Sequence, residues 1–218
     1  MANYDAVLFD FDGTLLDTSR GIFQSLIYAL KCAGADEPDE ATLRKFIGPP
    51  IYDSFLNLFH FKEDEIDFLI KKYREHYSAQ GLYEYDIYDG IPELLKTVHE
   101  NGVKVATASS KPRVFIEKIL VKTGLAQYVD YVGGTTFDEK SGGKTEILLD
   151  AMEKLGCKDK SRVLMVGDRK FDIDGAKGAG IVTAAVLYGF GNRREFEEHG
   201  AEYIVENTGE IENIIFGE

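Results

Sequence analysis

Five short apolar runs, separated by helical patterns or turns, constrain the fold of this sequence more than any other feature. Each run is rich in valine, isoleucine and aromatic residues and stays apolar at successive positions, as in strands that are buried on both faces. The runs cover residues 7–9, 103–108, 129–132, 163–166 and 181–187. Between them, apolar residues recur every three to four positions, which indicates amphipathic helices. Alternating strands and helices predict an α/β fold built on a parallel sheet that helices flank.

The span from residue 19 to residue 85 departs from this alternation. Ile66, Leu69 and Tyr73 follow a helical period there, and no comparable apolar run marks a strand. The predicted domains are a core of residues 1–18 and 86–218 and a helical insertion of residues 19–85. Because the chain would cross between these units twice, the insertion can act as a lid over a site in the core.

Polar side chains follow three of the predicted strands at the point where each strand ends. Asp10 and Asp12 follow the first strand, Ser109 follows the second, and Asp168 follows the fourth. The carboxyl ends of parallel strands share one edge of the sheet, so we expect these side chains to converge. Each alone has an ordinary explanation as a helix cap, a turn residue or a strand end. Their occurrence together favours a functional site at that edge.

The two carboxylates after the first strand call for a cation. Asp10 and Asp12 are two positions apart, so in an extended segment their side chains point the same way. Like charges about 4 Å apart repel by on the order of 4 kcal/mol at an effective dielectric constant near 20. The chain has 25 basic and 38 acidic residues and a formal charge of −13, so an anionic substrate needs a localised positive centre. We predict Mg²⁺ as the cofactor, because it prefers oxygen ligands.

The acidic composition also limits the partners of the chain. It lacks a lysine or arginine run, so we expect binding neither to nucleic acid nor to a membrane surface. No apolar stretch approaches the roughly 20 residues that cross a bilayer, and the first strand follows no basic leader. We therefore expect a soluble, cytoplasmic protein. Cys32 and Cys157 are far apart in the sequence, which predicts neither a disulfide framework nor a zinc site.

The ordered set of these residues resembles the haloacid dehalogenase superfamily. The matching segments are Asp10-Phe11-Asp12-Gly13-Thr14-Leu15-Leu16-Asp17, Ser109 with Lys111-Pro112, Lys144, and Gly167-Asp168 with Asp172. The chain looks most similar to the phosphoglycolate phosphatase-like branch, whose helical (type C1) cap is inserted between the first and second motifs. The resemblance implies a Rossmann-like core and a phosphoric monoester hydrolase that acts on a small phosphorylated metabolite. Phosphoglycolate-like compounds, nucleotides and sugar phosphates are the candidate substrates.

The resemblance also implies catalytic and metal-binding roles. Asp10 is the expected nucleophile that forms an aspartyl-phosphate, and Asp12 is the expected acid and base. Splitting hydrolysis into two displacements lets one carboxyl group protonate the leaving group and later activate water. The side chains of Asp10 and Asp168 and the backbone carbonyl of Asp12 would hold Mg²⁺, and Asp172 would support them.

The phosphate-binding residues are implied in the same way. They are the Ser109 hydroxyl, backbone amides near Gly13 and Ser110, and the Lys144 ammonium. Lys144 stands at a predicted helix start, where the helix dipole disfavours a cation, and this favours a functional role. Lys111 is left out of the predicted site, because Lys-Pro at a helix entry is also a common turn.

Two further segments contain glycines that bear on function. Gly48 lies in a segment that resembles the cap loop through which related enzymes contact the leaving group, so we predict a role in specificity. Gly189-Phe190-Gly191 begins like a dinucleotide-binding fingerprint, but Arg194 stands where its last glycine belongs. We therefore do not predict dinucleotide binding.

Several alternatives use the same core. A phosphomutase of the β-phosphoglucomutase kind would retain its phosphorylated intermediate under a closed cap, and a pyrophosphatase would take a different leaving group. A more distant alternative is a non-enzymatic switch, in which Asp10 is phosphorylated slowly and the helical unit binds a partner. Asp12 beside the nucleophile and Lys144 on a separate element favour turnover, since a switch should preserve its acyl phosphate.

Overall fold

The larger part of the chain folds around a parallel six-stranded sheet. The computed structural model describes residues 2–137 and 143–217. The strands are β1 (Ala6–Phe9), β2 (Leu16–Asp17), β3 (Asp86–Ile87), β4 (Lys104–Pro112), β5 (Tyr131–Thr135), β6 (Val163–Gly167), β7 (Val182–Val186) and β8 (Tyr203–Val205). The order in the large sheet is β5-β4-β1-β6-β7-β8, and every pair in it is parallel. Counted along the chain this order is 3-2-1-4-5-6, that of a Rossmann-like fold. The predicted fold class is confirmed.

Helices cover the sheet and form the inserted segment. They are α1 (Ser19–Cys32), α2 (Glu40–Phe46), α3 (Ile51–Asp53), α4 (Glu63–Ala79), α5 (Ile91–Glu100), α6 (Arg113–Thr123), α7 (Lys144–Leu155), α8 (Lys170–Ala179), α9 (Arg193–His199) and α10 (Thr208–Phe216). The α6, α7 and α8 helices each end at a glycine with a positive φ, the usual stop signal for a helix. No described helix combines the length and the apolar character that a membrane span requires.

The centre of the sheet is fully apolar. Every residue of β1 and β6 is buried, which explains why these runs show no alternation in the sequence. Leu8 of β1 and Met165 of β6 share a core cluster with Leu148 of α7 and Ala176 of α8. The strand order reverses at β1, so the carboxyl ends of β1, β4 and β6 lie side by side at the position where ligands bind in such sheets.

Two of the predicted strands differ from the structure by more than one residue at an end, and the other three differ by one residue at most at either end. The second strand runs on to Pro112, with a register irregularity between Ala108 and Pro112. The third begins at Tyr131, because a short 3₁₀ turn, Leu125–Tyr128, precedes it. The edge strand β8 was not predicted. It has only three residues and one of them, Tyr203, is exposed, so it lacks the apolar run of a central strand.

The chain divides into two compact units. One comprises Met1–Leu16 and Ile87–Glu218, and the other comprises Asp17–Asp86. The boundaries pass through β2 and β3, which pair as a two-stranded sheet. These limits differ by one or two residues from the predicted domains, and the role of the smaller unit as a cap stays a prediction.

The smaller unit has an apolar core of its own. The α1 and α4 helices pack together, and the backbones of Gly21 and Gly81 approach so closely that a Cβ on either would overlap the other. Six aromatic rings of the unit also pack against one another, with the centroids of neighbouring rings 5.5 to 6.3 Å apart. The rings belong to Phe46, Phe55, Phe59, Phe61, Tyr73 and Tyr77.

Candidate active site

Three carboxylates meet at the carboxyl edge of the sheet. Asp10 directly follows β1, and its N–H donates to the Val166 carbonyl oxygen of β6 at 2.8 Å. Asp168 directly follows β6, and Asp172 lies in the first turn of α8. Each offers a carboxylate oxygen, and these three atoms all lie within 4.8 Å of one another. All three residues are buried, so this cluster is held by the fold itself.

One ammonium group joins the cluster from α7. Lys144, the first residue of that helix, places its Nζ 2.8 Å from Asp10 Oδ1 and 2.6 Å from Asp172 Oδ1. Its side chain is only 8% exposed. With all three carboxylates ionised, the single ammonium would leave this buried cluster with a net charge of −2. The donor set therefore fits one divalent cation with oxygen ligands.

Burial makes the charges of this cluster costly. Burial raises the pKa of Asp168 well above its ordinary value, and the nearby charges of Asp10 and Asp172 raise it further. Burial also raises the pKa of Asp172 to about 6, although the Lys144 ammonium pulls it down. The Lys144 pKa would fall through burial, but the charges of Asp10 and Asp172 outweigh that effect and raise it. The cluster thus has one ammonium for three carboxylates, an excess of negative groups that is expected of a site that binds a cation.

Asp12 belongs to a separate ion pair. The Lys111 Nζ lies 2.8 Å from Asp12 Oδ1 and 3.1 Å from Asp12 Oδ2, so one ammonium binds both oxygens. The Lys111 side chain is 4% exposed and that of Asp12 16%. The ammonium also lies 5.8 Å from the centroid of the Phe11 ring. The Asp12 carboxylate is thus held by a cation other than the one that serves the three-carboxylate cluster.

Lys111 is the residue that the sequence interpretation missed. Lys-Pro indicates a helix entry in the sequence, and α6 does begin at Arg113, but β4 continues through Pro112 up to that point. In a strand, residues two apart face the same side. Both Ser109 and Lys111 are buried, and the Lys111 N–H donates to Ser109 Oγ at 3.3 Å. The spacing of two from Ser109 is a sequence signal that points to Lys111, although the pairing of β4 is irregular between Ala108 and Pro112.

The predicted phosphate-binding residues have mixed surroundings. Ser109 is buried near the end of β4, and the Ser110 carbonyl accepts a hydrogen bond from Thr135 Oγ1 at 3.0 Å. The Gly13 N–H donates to the Leu16 carbonyl oxygen at 2.8 Å, so that amide is already used within its own turn. Gly13 has a φ of 89°, and a Cβ there would overlap the Asp168 carboxylate. Its evident role is to make room for that carboxylate.

Gly48, predicted to act in specificity, lies in the smaller unit. It follows α2 and has a φ of 110°, a conformation that favours glycine. The backbone of this loop therefore depends on the residue type, whereas its contact with a substrate stays a prediction.

Comparisons with known proteins agree with this architecture. A family model described as haloacid dehalogenase-like hydrolase matches residues 7–186. A 5′-nucleotidase from Pseudomonas aeruginosa is 37% identical over 196 residues, which cover 90% of this chain and 88% of that protein. The tyrosine-protein kinase PtkA of Mycobacterium tuberculosis is 34% identical over 208 residues, or 95% of this chain and 70% of that protein. The crystal structure of a predicted phosphatase from Clostridium acetobutylicum matches with a TM-score of 0.91 and 38% identity, covering 95% of this chain and 96% of that one.

Proposed function

Because this chain belongs to the haloacid dehalogenase-like hydrolase family, we propose that it is a magnesium-dependent phosphatase that works through an aspartyl-phosphate on Asp10. The resemblance to the superfamily is confirmed, and so is the class of enzyme, a phosphoric monoester hydrolase. The finer proposal rests on one observation: a buried cluster in which Asp10 lies beside Asp168, Asp172 and the Lys144 ammonium.

Asp10 suits the role of nucleophile. It is the cluster member that directly follows the central strand β1, so the sheet fixes its backbone. A carboxylate is a competent acceptor of a phosphoryl group. The Lys144 ammonium, 2.8 Å from Asp10 Oδ1, provides positive charge where phosphoryl oxygens would lie during attack.

The same cluster provides the proposed ligands for the metal ion. Asp10 and Asp168 would hold the ion through their side chains and Asp12 through its backbone carbonyl. Asp172 would support them, since its Oδ1 binds Lys144 and its Oδ2 accepts the Arg169 N–H at 3.0 Å. When bound, a divalent cation neutralises charge on the phosphoryl oxygens and orients them for in-line attack.

Asp12 and Ser109 complete the proposed machinery. Asp12 would give a proton to the leaving oxygen and then take one from the attacking water. The pair of hydrogen bonds from Lys111 fixes the position of its carboxylate between these steps. The Ser109 hydroxyl and the amide of Ser110 would bind phosphoryl oxygens at the end of β4.

Metal removal tests the proposal directly. We expect EDTA to lower phosphate release from p-nitrophenyl phosphate about 10³-fold, because the metal supplies several kcal/mol of charge stabilisation. Adding Mg²⁺ in excess of the chelator should restore it. The control is an equal ionic strength of sodium chloride, which should restore nothing. Full turnover in EDTA by protein shown by elemental analysis to be free of metal would remove the proposal.

Replacing Lys111 tests the arrangement around Asp12. We expect Lys111→Met to lower kcat about 10²-fold, because a positioned acid–base group contributes at least that much and would lose the cation that binds it. The matched control is Lys104→Met, at the other end of the same strand, whose exposed ammonium lies 3.6 Å from Asp130. Steady-state kinetics should show no change for Lys104→Met. Equal kinetics for both variants would mean that the Lys111 pair plays no part in turnover.

The substrate class is a further part of the proposal. The 5′-nucleotidase relative makes nucleoside monophosphates the first compounds to test, ahead of sugar phosphates, phosphoglycolate-like compounds and pyrophosphate. Ranking by kcat/KM separates these classes, and conversion of a sugar phosphate to its isomer without release of phosphate would favour the mutase alternative. The cytoplasmic location stays a prediction.

A further inference from the structure

A segment that the proposed mechanism does not use packs against the carboxylate of Asp168, one of the proposed metal ligands. Residues 188–191, here called the 188–191 segment, follow β7 and contain the Gly189-Phe190-Gly191 sequence that does not fit a dinucleotide site. The Phe190 N–H donates to Asp168 Oδ2 at 2.7 Å. The segment therefore contacts one of the two oxygens of this carboxylate directly.

The two glycines of the segment allow this close approach. A Cβ on Gly189 would overlap the Asp168 side chain and the Gly13 carbonyl oxygen. A Cβ on Gly191 would overlap the Asp168 carbonyl oxygen and the Phe196 ring. Because neither glycine has a positive φ, space rather than backbone conformation requires glycine at both positions.

Tyr188 ties the segment to the turn that holds the other oxygen of Asp168. Its hydroxyl donates to the Thr14 carbonyl oxygen at 3.1 Å, and its ring packs on Tyr88 with centroids 4.8 Å apart. Thr14 in turn donates its hydroxyl to Asp168 Oδ1 at 3.3 Å. Burial raises the pKa of the Tyr188 hydroxyl, and the Asp168 charge adds to this effect, so the hydroxyl stays protonated as a donor.

Each oxygen of Asp168 thus has a donor from a different loop, and Tyr188 joins the two loops. Because Asp168 is completely buried, these protein donors take the place of solvent in fixing its orientation. A ligand carboxylate with a fixed orientation loses less freedom when the ion binds. Outer partners of this kind typically change metal affinity by about 10- to 100-fold.

We propose that Tyr188 is a positioning residue for Asp168, which sets the affinity of the site for its divalent cation by locking the 188–191 segment to the Thr14 turn. The proposal rests on the proposed function, since it takes Asp168 as a metal ligand. Tyr188 acts through Thr14 and Phe190 and has no contact with substrate in this mechanism. Its loss should weaken metal binding and leave the chemical step intact once the site is saturated.

The test measures metal binding without turnover. Mn²⁺, which also prefers oxygen ligands, is titrated into metal-stripped protein, and the free ion is followed by electron paramagnetic resonance. We expect Tyr188→Phe to raise the Kd about fivefold, the effect of one ordinary hydrogen bond. At saturating metal, kcat should stay within about twofold of the wild type, because Tyr188 contributes to metal binding and makes no interaction that is specific to the transition state. Tyr131→Phe is the matched control, because it removes a tyrosine hydrogen bond to Asp150 (2.6 Å) on another part of the core.

A second variant keeps the proposal open to refutation if Tyr188→Phe does not fold. Thr14→Val keeps the shape of the side chain but removes the hydroxyl that donates to Asp168, and it should also raise the Kd. A folded variant of either kind with an unchanged Kd would overturn the positioning role. Wild-type protein that binds no Mn²⁺ would instead overturn the proposed metal site, so the two failures are distinguishable.

Discussion

Asp10→Asn is expected to lower turnover at least about 10⁴-fold, since loss of a nucleophile removes the covalent route and leaves only binding and electrostatic effects. An asparagine amide has almost the same shape as the carboxylate but does not attack phosphorus. Phosphate release from p-nitrophenyl phosphate, measured with excess Mg²⁺, gives the size of the loss.

The fold should tolerate this change. The substitution removes one of three neighbouring negative charges, and Lys144 keeps its contact with Asp172 at 2.6 Å. Thermal unfolding is expected to show a melting temperature no lower than that of the wild type. The matched control is Asp5→Asn, just before β1, where an exposed aspartate pairs with Arg162 and should not affect turnover. Retention of more than about a tenth of the activity by folded Asp10→Asn would exclude a nucleophilic role.

Asp12→Asn should separate the two half-reactions. The p-nitrophenolate leaving group needs no proton, so the first displacement proceeds without the acid, whereas water still needs a base in the second. We expect one equivalent of p-nitrophenolate in a fast burst, followed by turnover about 10³-fold slower than the wild type. Stopped-flow absorbance measures both phases.

An alkyl phosphate provides the contrast for this variant. Its leaving alkoxide needs a proton, so Asp12→Asn should give no burst of alcohol with that substrate. A burst of equal size with both substrates would show that Asp12 does not act as the acid. Turnover without any burst, but at the wild-type rate with both substrates, would remove Asp12 from the mechanism.

The sequence was most informative where one physical requirement fixed both fold and site. Strands β1 and β6 are buried on both faces, so their apolar runs were visible, and the carboxylates after them stood out as the first polar residues. Parallel pairing then placed Asp10 and Asp168 on one edge. Lys144 was recognisable because a cation is unfavourable at a helix start.

The sequence was less informative where local patterns have two explanations. Lys111 was missed because Lys-Pro signals a turn as well as a strand end, and only the course of β4 decides between them. Gly13 was expected to offer its amide to phosphate, but its N–H donates to the Leu16 carbonyl oxygen. Glycine is needed there for a different reason, because a Cβ would overlap the Asp168 carboxylate. The 188–191 segment depends on a close approach between loops far apart in sequence, which no local pattern records.

The predicted role of the smaller unit in specificity is the part that sequence reasoning reached least. Its helices follow a clear period, but many sequences can form a helical aromatic core. The positive φ of Gly48 shows that its loop favours glycine at this position. Helical periodicity predicts which side chains are buried, but it does not predict which substrate groups the exposed side chains would contact.

The most direct test of the central claim is to find where the phosphoryl group resides during turnover. Enzyme mixed with substrate and Mg²⁺ is quenched within milliseconds, reduced with borohydride and digested, and the peptides are analysed by mass spectrometry. An aspartyl-phosphate is reduced to homoserine, so the account predicts homoserine at position 10, dependent on substrate. A phosphoryl group on another residue, or normal turnover with position 10 unmodified under every quench condition, would contradict it.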